Sequence, residues 1–329
     1  MTLILSRRML EGLVNMAEAI RVVEEAFKMH GLGKTVMPQR TVIQVNSGRL
    51  WFSTMPAYVD GWKTLTVKAV SSRPENRKIG LPTIQALIVY LDSETGTPLA
   101  LMEAGYLTGI RTGAVGGVAA KYLARPNIEV VGVLGSGEQA WRQLEALTRI
   151  RRAIRKVKVF SPNPKHRAEF AEKASASFGL EASAVNSAEE AVKGSDIILA
   201  ATSSREPVVL SGWVEDGAHI TSVGAHMRDA REIDGETVAK AKVVVDSREA
   251  CLQEAGDLLI PMAEGLIGEN HIYAELGEIV AGLKPGRTSD SEITLFKSVG
   301  LAIQDAAVAK LAYEKAKQAG VGFEVNLFG

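Results

Sequence analysis

Lys68 stands in Thr64-Leu-Thr-Val-Lys-Ala-Val70, a run whose alternation puts Thr64, Thr66 and Lys68 on one face of a strand. An inward-facing lysine is costly unless something uses its charge. It can clamp a carboxylate or, with its pKa lowered, exchange a proton with an amine. A lysine on an exposed strand face fits the same pattern. Arg111 falls in Thr108-Gly-Ile-Arg-Thr-Gly-Ala114, where small residues clear space around one cation near a helix start. That suits anion binding, and it suits a structural ion pair equally. Arg40 and Thr83 complete the set that could hold a substrate. His226 lies in Ser222-Val-Gly-Ala-His-Met-Arg-Asp-Ala-Arg-Glu232, just beyond the strand-like run His219-Ile-Thr-Ser-Val-Gly224. The carboxyl ends of parallel strands are where doubly wound folds bind ligands. A histidine there can transfer a proton near neutral pH, line a pocket, or sit on the surface.

A second chemistry is carried by Glu129-Val-Val-Gly-Val-Leu-Gly-Ser-Gly-Glu-Gln-Ala140. A strand runs into Gly135-Ser136-Gly137-Glu138-Gln139-Ala140, which opens a helix. Gly135 permits the tight turn, Gly137 lets the backbone approach a pyrophosphate, and Ala140 lets helix and strand pack closely. The free N–H groups of the helix start favour phosphate. The alternative is a glycine turn with no ligand. In NAD sites an acid about 20 residues onward holds the ribose 2′-hydroxyl. Here Val157-Lys-Val-Phe160 is followed by Ser161-Pro-Asn-Pro-Lys-His-Arg167, with no acid. Ser161, Asn163, Lys165 and Arg167 are donors or cations, which suits a 2′-phosphate. NADP(H) is therefore favoured and NAD(H) possible, unless this is only a solvated basic loop. Thr202 and Ser203, next to the strand over 196–201, are counted with the cofactor contacts.

The elements that must position these residues follow two rhythms. Residues 7–30 read as a helix stopped by Gly31 and Gly33. Four β-rich runs follow, over 41–45, 50–54, 62–70 and 83–91, punctuated by Asn46-Ser-Gly48, Asp60-Gly61 and Gly80-Leu-Pro82. They predict a largely antiparallel sheet. A helix over 108–123 comes next. Strands are then expected over 128–134, 156–160, 196–201, 218–223 and 242–246, with helices over 138–151, 164–178 and 187–193 between several of them. That alternation predicts a parallel sheet, because parallel strands need crossovers. A long last helix is expected over 289–319. No internal repeat or low-complexity tract is visible.

The 329 residues suit two domains. With 46% hydrophobic and 23% charged residues the composition is globular, and the zero formal net charge gives no reason to expect nucleic acid. Cys251 is the only cysteine, which excludes an internal disulfide and a cysteine-cluster metal site, and no metal is expected. The run Leu3-Ile-Leu5 is too short for a signal peptide, and nowhere do about 18 apolar residues follow one another. The expectation is a soluble protein of a reducing compartment, cytoplasmic and free of the membrane.

The motifs Gly80-Leu-Pro-Thr83, Asp92-Ser-Glu-Thr-Gly-Thr-Pro98, Leu107-Thr-Gly-Ile-Arg-Thr-Gly-Ala114, Gly132-Val-Leu-Gly-Ser-Gly-Glu-Gln-Ala140 and Ser222-Val-Gly-Ala-His-Met-Arg-Asp-Ala-Arg-Glu-Ile-Asp234 occur in one order with one spacing. In this the chain resembles the ornithine cyclodeaminase/mu-crystallin family over nearly its whole length. The Leu-Thr-x-x-Arg-Thr-Gly-Ala run is the most specific element. The resemblance implies an α/β fold: a Rossmann-type doubly wound parallel sheet (121–299) inserted in a β-rich α+β substrate and dimerisation domain (1–120 plus 300–329). It also implies a homodimer, with a small amino or imino acid bound between the domains. Arg40 and Arg111 match positions that hold the substrate carboxylate, and Lys68 matches an active-site lysine. Thr83, Val299 and Gly300 match substrate-lining positions; Thr112 and the glycine turn match cofactor contacts.

The His226 segment is where the chain departs from much of that family. Cyclodeaminases and related alanine dehydrogenases carry an aspartate after the fifth strand, in a run like Gly-Gly/Ala-Asp-x-Pro-Gly-Lys, as the proposed acid/base. Here His226 takes that place, and Ala230 that of the lysine. The segment is more similar to the mu-crystallin branch, which lacks the aspartate and includes NADPH-dependent reductases of cyclic ketimines. A cyclodeaminase must oxidise an amine, release ammonia and re-reduce a ring imine, whereas a ketimine reductase needs the last half only. A bound protonated imine is electrophilic, so one acid and good positioning suffice. Imine reduction therefore ranks ahead of ornithine cyclodeamination, of alanine-type amino-acid dehydrogenation and of a non-catalytic binding role. Lys68 is the expected proton donor, with His226 lining the substrate.

Overall fold

The computed structural model describes residues 1–45, 49–327 and 329, and the turn expected at Asn46-Ser-Gly48 lies outside them. The chain divides into two compact units, Met1–Arg111 with Leu301–Gly329, and Thr112–Gly300. The first cut falls inside the helix Gly105–Leu123.

The first unit is built on one mixed sheet. Its strands are β1 (Thr2–Leu5), β2 (Thr35–Val36), β3 (Thr41–Val45), β4 (Leu50–Val59), β5 (Thr64–Ser72), β6 (Ile84–Asp92) and β7 (Pro98–Glu103), with a terminal strand, Phe323–Val325. The order is terminal strand, β1, β7, β6, β5, β4, β2, with β3 also on β4. All pairings are antiparallel except β1 with β7. Away from their ends β4 to β6 alternate between buried and less buried residues, the sign of a sheet with one covered face. The cover is the helix Ala302–Ala319, which packs on β4, β5 and β6 and on the helix Met16–Gly31. Its first turns are buried all round, from Ala302 to Ala309.

Two expectations for this unit need correction. The helix over 7–30 is two helices, Arg7–Leu13 and Met16–Gly31, because the Asn15 side chain accepts the Glu18 N–H (3.0 Å) and caps a new start. The helix over 289–319 begins only at Ala302, and Thr294–Lys297 is a buried strand.

The second unit carries eight parallel strands: β8 (Val130–Leu134), β9 (Lys156–Phe160), β10 (Glu181–Ala184), β11 (Ile197–Ala200), β12 (His219–Ser222), β13 (Lys242–Val245), β14 (Ile272–Glu275) and β15 (Thr294–Lys297). Their order is β10-β9-β8-β11-β12-β15-β13-β14, and every pairing is parallel. The chain reverses its direction of winding between β8 and β11, the crevice where such sheets bind ligands. The helices Glu138–Ile150, Pro164–Phe178 and Ala188–Val192 form the first crossovers. Gly113 of the Arg111 motif, and Gly116 beyond it, allow close packing on the next helix: a Cβ on Gly116 would lie 1.7 Å from Gln143 Oε1, and one on Gly113 2.4 Å from the Arg142 carbonyl. Among the described residues no helix is long and apolar enough to cross a membrane.

Candidate active site

In the first unit two of the substrate candidates, Lys68 and Arg111, converge on one buried carboxylate. Lys68 lies on the covered face of β5 between the apolar cross-strand neighbours Met55 and Ile88, and is 1% exposed. Its Nζ is 2.6 Å from Oδ2 of Asp305 in the first turn of Ala302–Ala319. The other carboxylate oxygen, Oδ1, accepts the Nε–H of buried Arg111 at 3.1 Å. Arg111 also donates from Nη1 to Oε1 of Gln304. Burial is the main force lowering the Lys68 pKa to about 7; Asp305 opposes it, and the charges of Arg111 and Arg40 add to it. Half-buried Arg40, just before β3, thus lies within electrostatic range of the cluster. Thr83 stands apart, half-buried before β6, with its hydroxyl accepting from Arg77 Nε at 3.1 Å.

In the second unit the turn after β8 has the features a dinucleotide requires. Gly135 sits at φ 105° and donates its N–H to the Phe160 carbonyl at the end of β9. A Cβ there would be 2.4 Å from the Ala201 carbonyl, so only glycine fits. A Cβ on Gly137 would meet nothing within 4 Å, which leaves open space beside the backbone. Gly137 also caps the helix Glu138–Ile150 without a side-chain hydrogen bond, so its first N–H groups remain for a phosphate. Glu138 and Gln139 form its first turn. Ala140 is fully buried. Ser136 Oγ donates to Ser161 Oγ at 2.9 Å, joining the glycine turn to the tip of β9.

At that tip Asn163 caps the helix Pro164–Phe178 by accepting the N–H groups of Lys165 and His166. Arg167 lies over the Phe160 ring and donates to the Ser161 carbonyl (2.9 Å) and to Asn186 Oδ1 (3.3 Å). Two of its five N–H donors are thus engaged in holding the loop. Lys165 is exposed. Thr112 is buried, and its carbonyl accepts from Gln143.

The loop after β12 carries His226, whose ring is exposed, with Nδ1 3.1 Å from the Gly224 carbonyl. Beneath it lies a buried ionic network. Glu232 accepts the backbone N–H groups of Thr202 (2.6 Å), Gly224 (2.7 Å) and Ala225 (3.1 Å). Asp257 accepts those of Glu232 and Ile233, and its other oxygen takes the Ser222 hydroxyl and, at 2.6 Å, Lys297 Nζ. Lys297 also donates to the Ala225 carbonyl. Burial alone would lower the Lys297 pKa, but Asp257 and Glu232 more than offset it and raise it above an ordinary lysine. Asp246, at the end of β13, accepts the N–H groups of Val299 (2.9 Å) and Gly300 (2.7 Å) and the Ser298 hydroxyl. Thr202, His226, Val299 and Gly300 are thus carried on loops fixed by buried acids, and Ser203 is exposed beside Thr202.

The chain matches the model of the ornithine cyclodeaminase/mu-crystallin family over residues 1–320. It belongs to that family. A Delta(1)-pyrroline-2-carboxylate reductase of Thermococcus litoralis, solved in complex with NADH and L-proline, is 52% identical, with a TM-score of 0.96 over 98% of this chain and 100% of its own. An archaeal alanine dehydrogenase dimer with bound NAD is 43% identical, with a TM-score of 0.95 over 99% of both chains. A Delta(1)-pyrroline-2-carboxylate reductase of Bacillus cereus is 42% identical over 98% of this chain and 99% of its own.

In this member of the ornithine cyclodeaminase/mu-crystallin family the sequence carries a signal for some of these buried polar residues. Asp305 and Gln304 interrupt Leu301-Ala-Ile-Gln-Asp-Ala-Ala-Val-Ala309, and Asp246 ends Val243-Val-Val-Asp246. A lone polar group in an apolar run marks a buried charge in need of a partner.

Proposed function

We propose that the protein reduces a cyclic ketimine carboxylate, pyrroline-2-carboxylate or piperideine-2-carboxylate, to a cyclic L-amino acid such as L-proline, with NAD(P)H as reductant. The observation that carries this reading is the geometry at Lys68: a buried amine 2.6 Å from Asp305, whose other oxygen holds Arg111 at 3.1 Å, with burial lowering the amine's pKa to about 7. An acid with that pKa is well matched to protonating an imine near neutrality. Arg40 and Arg111 hold the substrate carboxylate, Arg111 through the N–H groups that Asp305 and Gln304 leave. Lys68 delivers the proton to the ring nitrogen, which makes the adjacent carbon electrophilic. Thr83, Val299, Gly300 and His226 shape the space around the ring. The chemistry a bound nicotinamide dinucleotide supplies is hydride transfer to that carbon. The glycine turn, Thr112, Thr202 and Ser203 hold the nucleotide.

NADPH is used better than NADH in this reading, because the tip of β9 offers Ser161, Asn163, Lys165 and Arg167 and no carboxylate. Arg167→Ala should raise the KM for NADPH more than that for NADH; equal effects, or a strong native preference for NADH, would remove the 2′-phosphate assignment. The enzyme is cytoplasmic, in keeping with a lone, buried Cys251. It is a homodimer joined through the first unit's sheet, where Val42 (44%), Ile43 (51%), Ile84 (43%) and Leu87 (49%) leave apolar side chains in solvent.

The deciding experiment offers pyrroline-2-carboxylate, piperideine-2-carboxylate, ornithine, and pyruvate with ammonia, each with NADPH, NADH or the oxidised forms. A cyclic imine should be reduced with the highest kcat/KM. Conversion of ornithine to proline without net nucleotide turnover would establish cyclodeamination instead. Faster reduction of pyruvate with ammonia would establish alanine dehydrogenation.

A further inference from the structure

Asp305 is a buried acid with a divided task. It is 1% exposed, on a helix whose neighbouring residues are mostly alanine and valine. One carboxylate oxygen lies 2.6 Å from Lys68 Nζ and the other 3.1 Å from Arg111 Nε. The three residues come from β5, the helix Gly105–Leu123 and the helix Ala302–Ala319. Neither cation is aimed by its own strand or helix alone. Lysine has a long stem with many rotamers, whereas the guanidinium is planar and tolerates little misorientation. Residues from three elements meeting at one carboxylate are held in a single arrangement.

We propose that Asp305 is a positioning residue for the reaction, fixing the Lys68 ammonium as proton donor and the Arg111 guanidinium as carboxylate clamp in one geometry. The inference rests on the proposed imine reduction, since it acts through Lys68 and Arg111. Asp305 also supplies the negative charge that keeps Lys68 protonated. The charged groups facing Lys68 are Asp305 from the covering helix, Arg111 from its own helix and Arg40 from the segment before β3. Its cross-strand neighbours, Met55 and Ile88, carry no charge. Without Asp305, two arginines and burial act unopposed, and the ammonium gives up its proton at lower pH.

The test is Asp305→Asn, which keeps size and shape, assayed with pyrroline-2-carboxylate and NADPH or NADH across pH. Loss of a positioned donor costs on the order of a hundredfold or more in kcat. The proposal expects that loss, with the KM for nucleotide nearly unchanged and the falling limb of the kcat profile moved to lower pH. In the Lys68→Met background the same change should cost kcat far less than in the native enzyme, leaving only what the loosened Arg111 clamp contributes, because residues acting as one unit are not additive. If Asp305→Asn does not melt cooperatively, Asp305→Glu takes its place. Retention of the carboxylate should then keep the limb near its native position while misplacement lowers kcat. A near-native kcat and profile in the variant that folds, or losses that multiply in the double variant, would overturn the proposal. A native enzyme that reduces neither cyclic imine would instead overturn the proposed function, which separates the two failures.

Discussion

Among the described residues, each unit contains one fully buried lysine paired with an aspartate at 2.6 Å, and the two have opposite characters. Lys68 faces one carboxylate and two arginines, and its pKa falls to about 7. Lys297 faces Asp257 and Glu232, with the Ser222 hydroxyl and the Ala225 carbonyl as further acceptors, and its pKa rises. Burial disfavours charge in both. The local balance of the other charges separates them, and a single ion-pair distance does not. Lys297 is locked as a cation and ties β15 to the loop after β12. Lys68 is poised to change state, which is what a proton donor requires.

Substitution of both lysines by methionine sharpens the contrast. Lys297→Met leaves Asp257 and Glu232 without their cation, and breaking a buried pair in this way costs about 3–5 kcal/mol. The midpoint of denaturant unfolding should fall accordingly. Lys68→Met leaves Asp305 with Arg111, so the unfolding midpoint should stay near that of the native protein. Its kcat for imine reduction should drop by about a hundredfold or more, or roughly 2.7 kcal/mol in the barrier. Stability loss in both variants with activity preserved in Lys68→Met would collapse the distinction.

The smallest effect belongs to His226, an exposed side chain over the network that Lys297 anchors. Asparagine can hydrogen-bond there but cannot titrate near neutrality. One neutral hydrogen bond amounts to about 0.5–1.5 kcal/mol, so His226→Asn should change substrate KM by roughly 2- to 10-fold. The shape of the pH profile should persist. Loss of an inflection in that profile would transfer proton delivery to His226.

The sequence carried much of this, because the signals were local. The glycine turn and the alternation of β5 each declare themselves within ten residues or so, and the strand-helix rhythm of the second unit is a run of such short signals; which face of β5 is covered was left open by the pattern alone. β15 did not: its four buried residues run straight into the segment before a helix, and only its place between β12 and β13 identifies it. The Arg111–Asp305 contact spans 194 positions and Lys297–Asp257 spans 40, so no local pattern pairs them. The position of His226 was legible, but the network under it was not, since Glu232, Asp257 and Lys297 each read singly as an ordinary charged residue. Long-range charge pairing is what the fold adds to the motif.

The pH dependence of kcat for reduction of pyrroline-2-carboxylate shows whether Lys68 is the proton donor. A donor must be protonated, so a lysine whose pKa is lowered to about 7 gives a rate that is full below that pH and falls as pH rises through it. A falling limb near neutrality is expected in the native enzyme, and no such limb in the residual activity of Lys68→Met. A rate that stays level to the ordinary lysine range, or a neutral limb that survives in Lys68→Met, would contradict Lys68 as the donor.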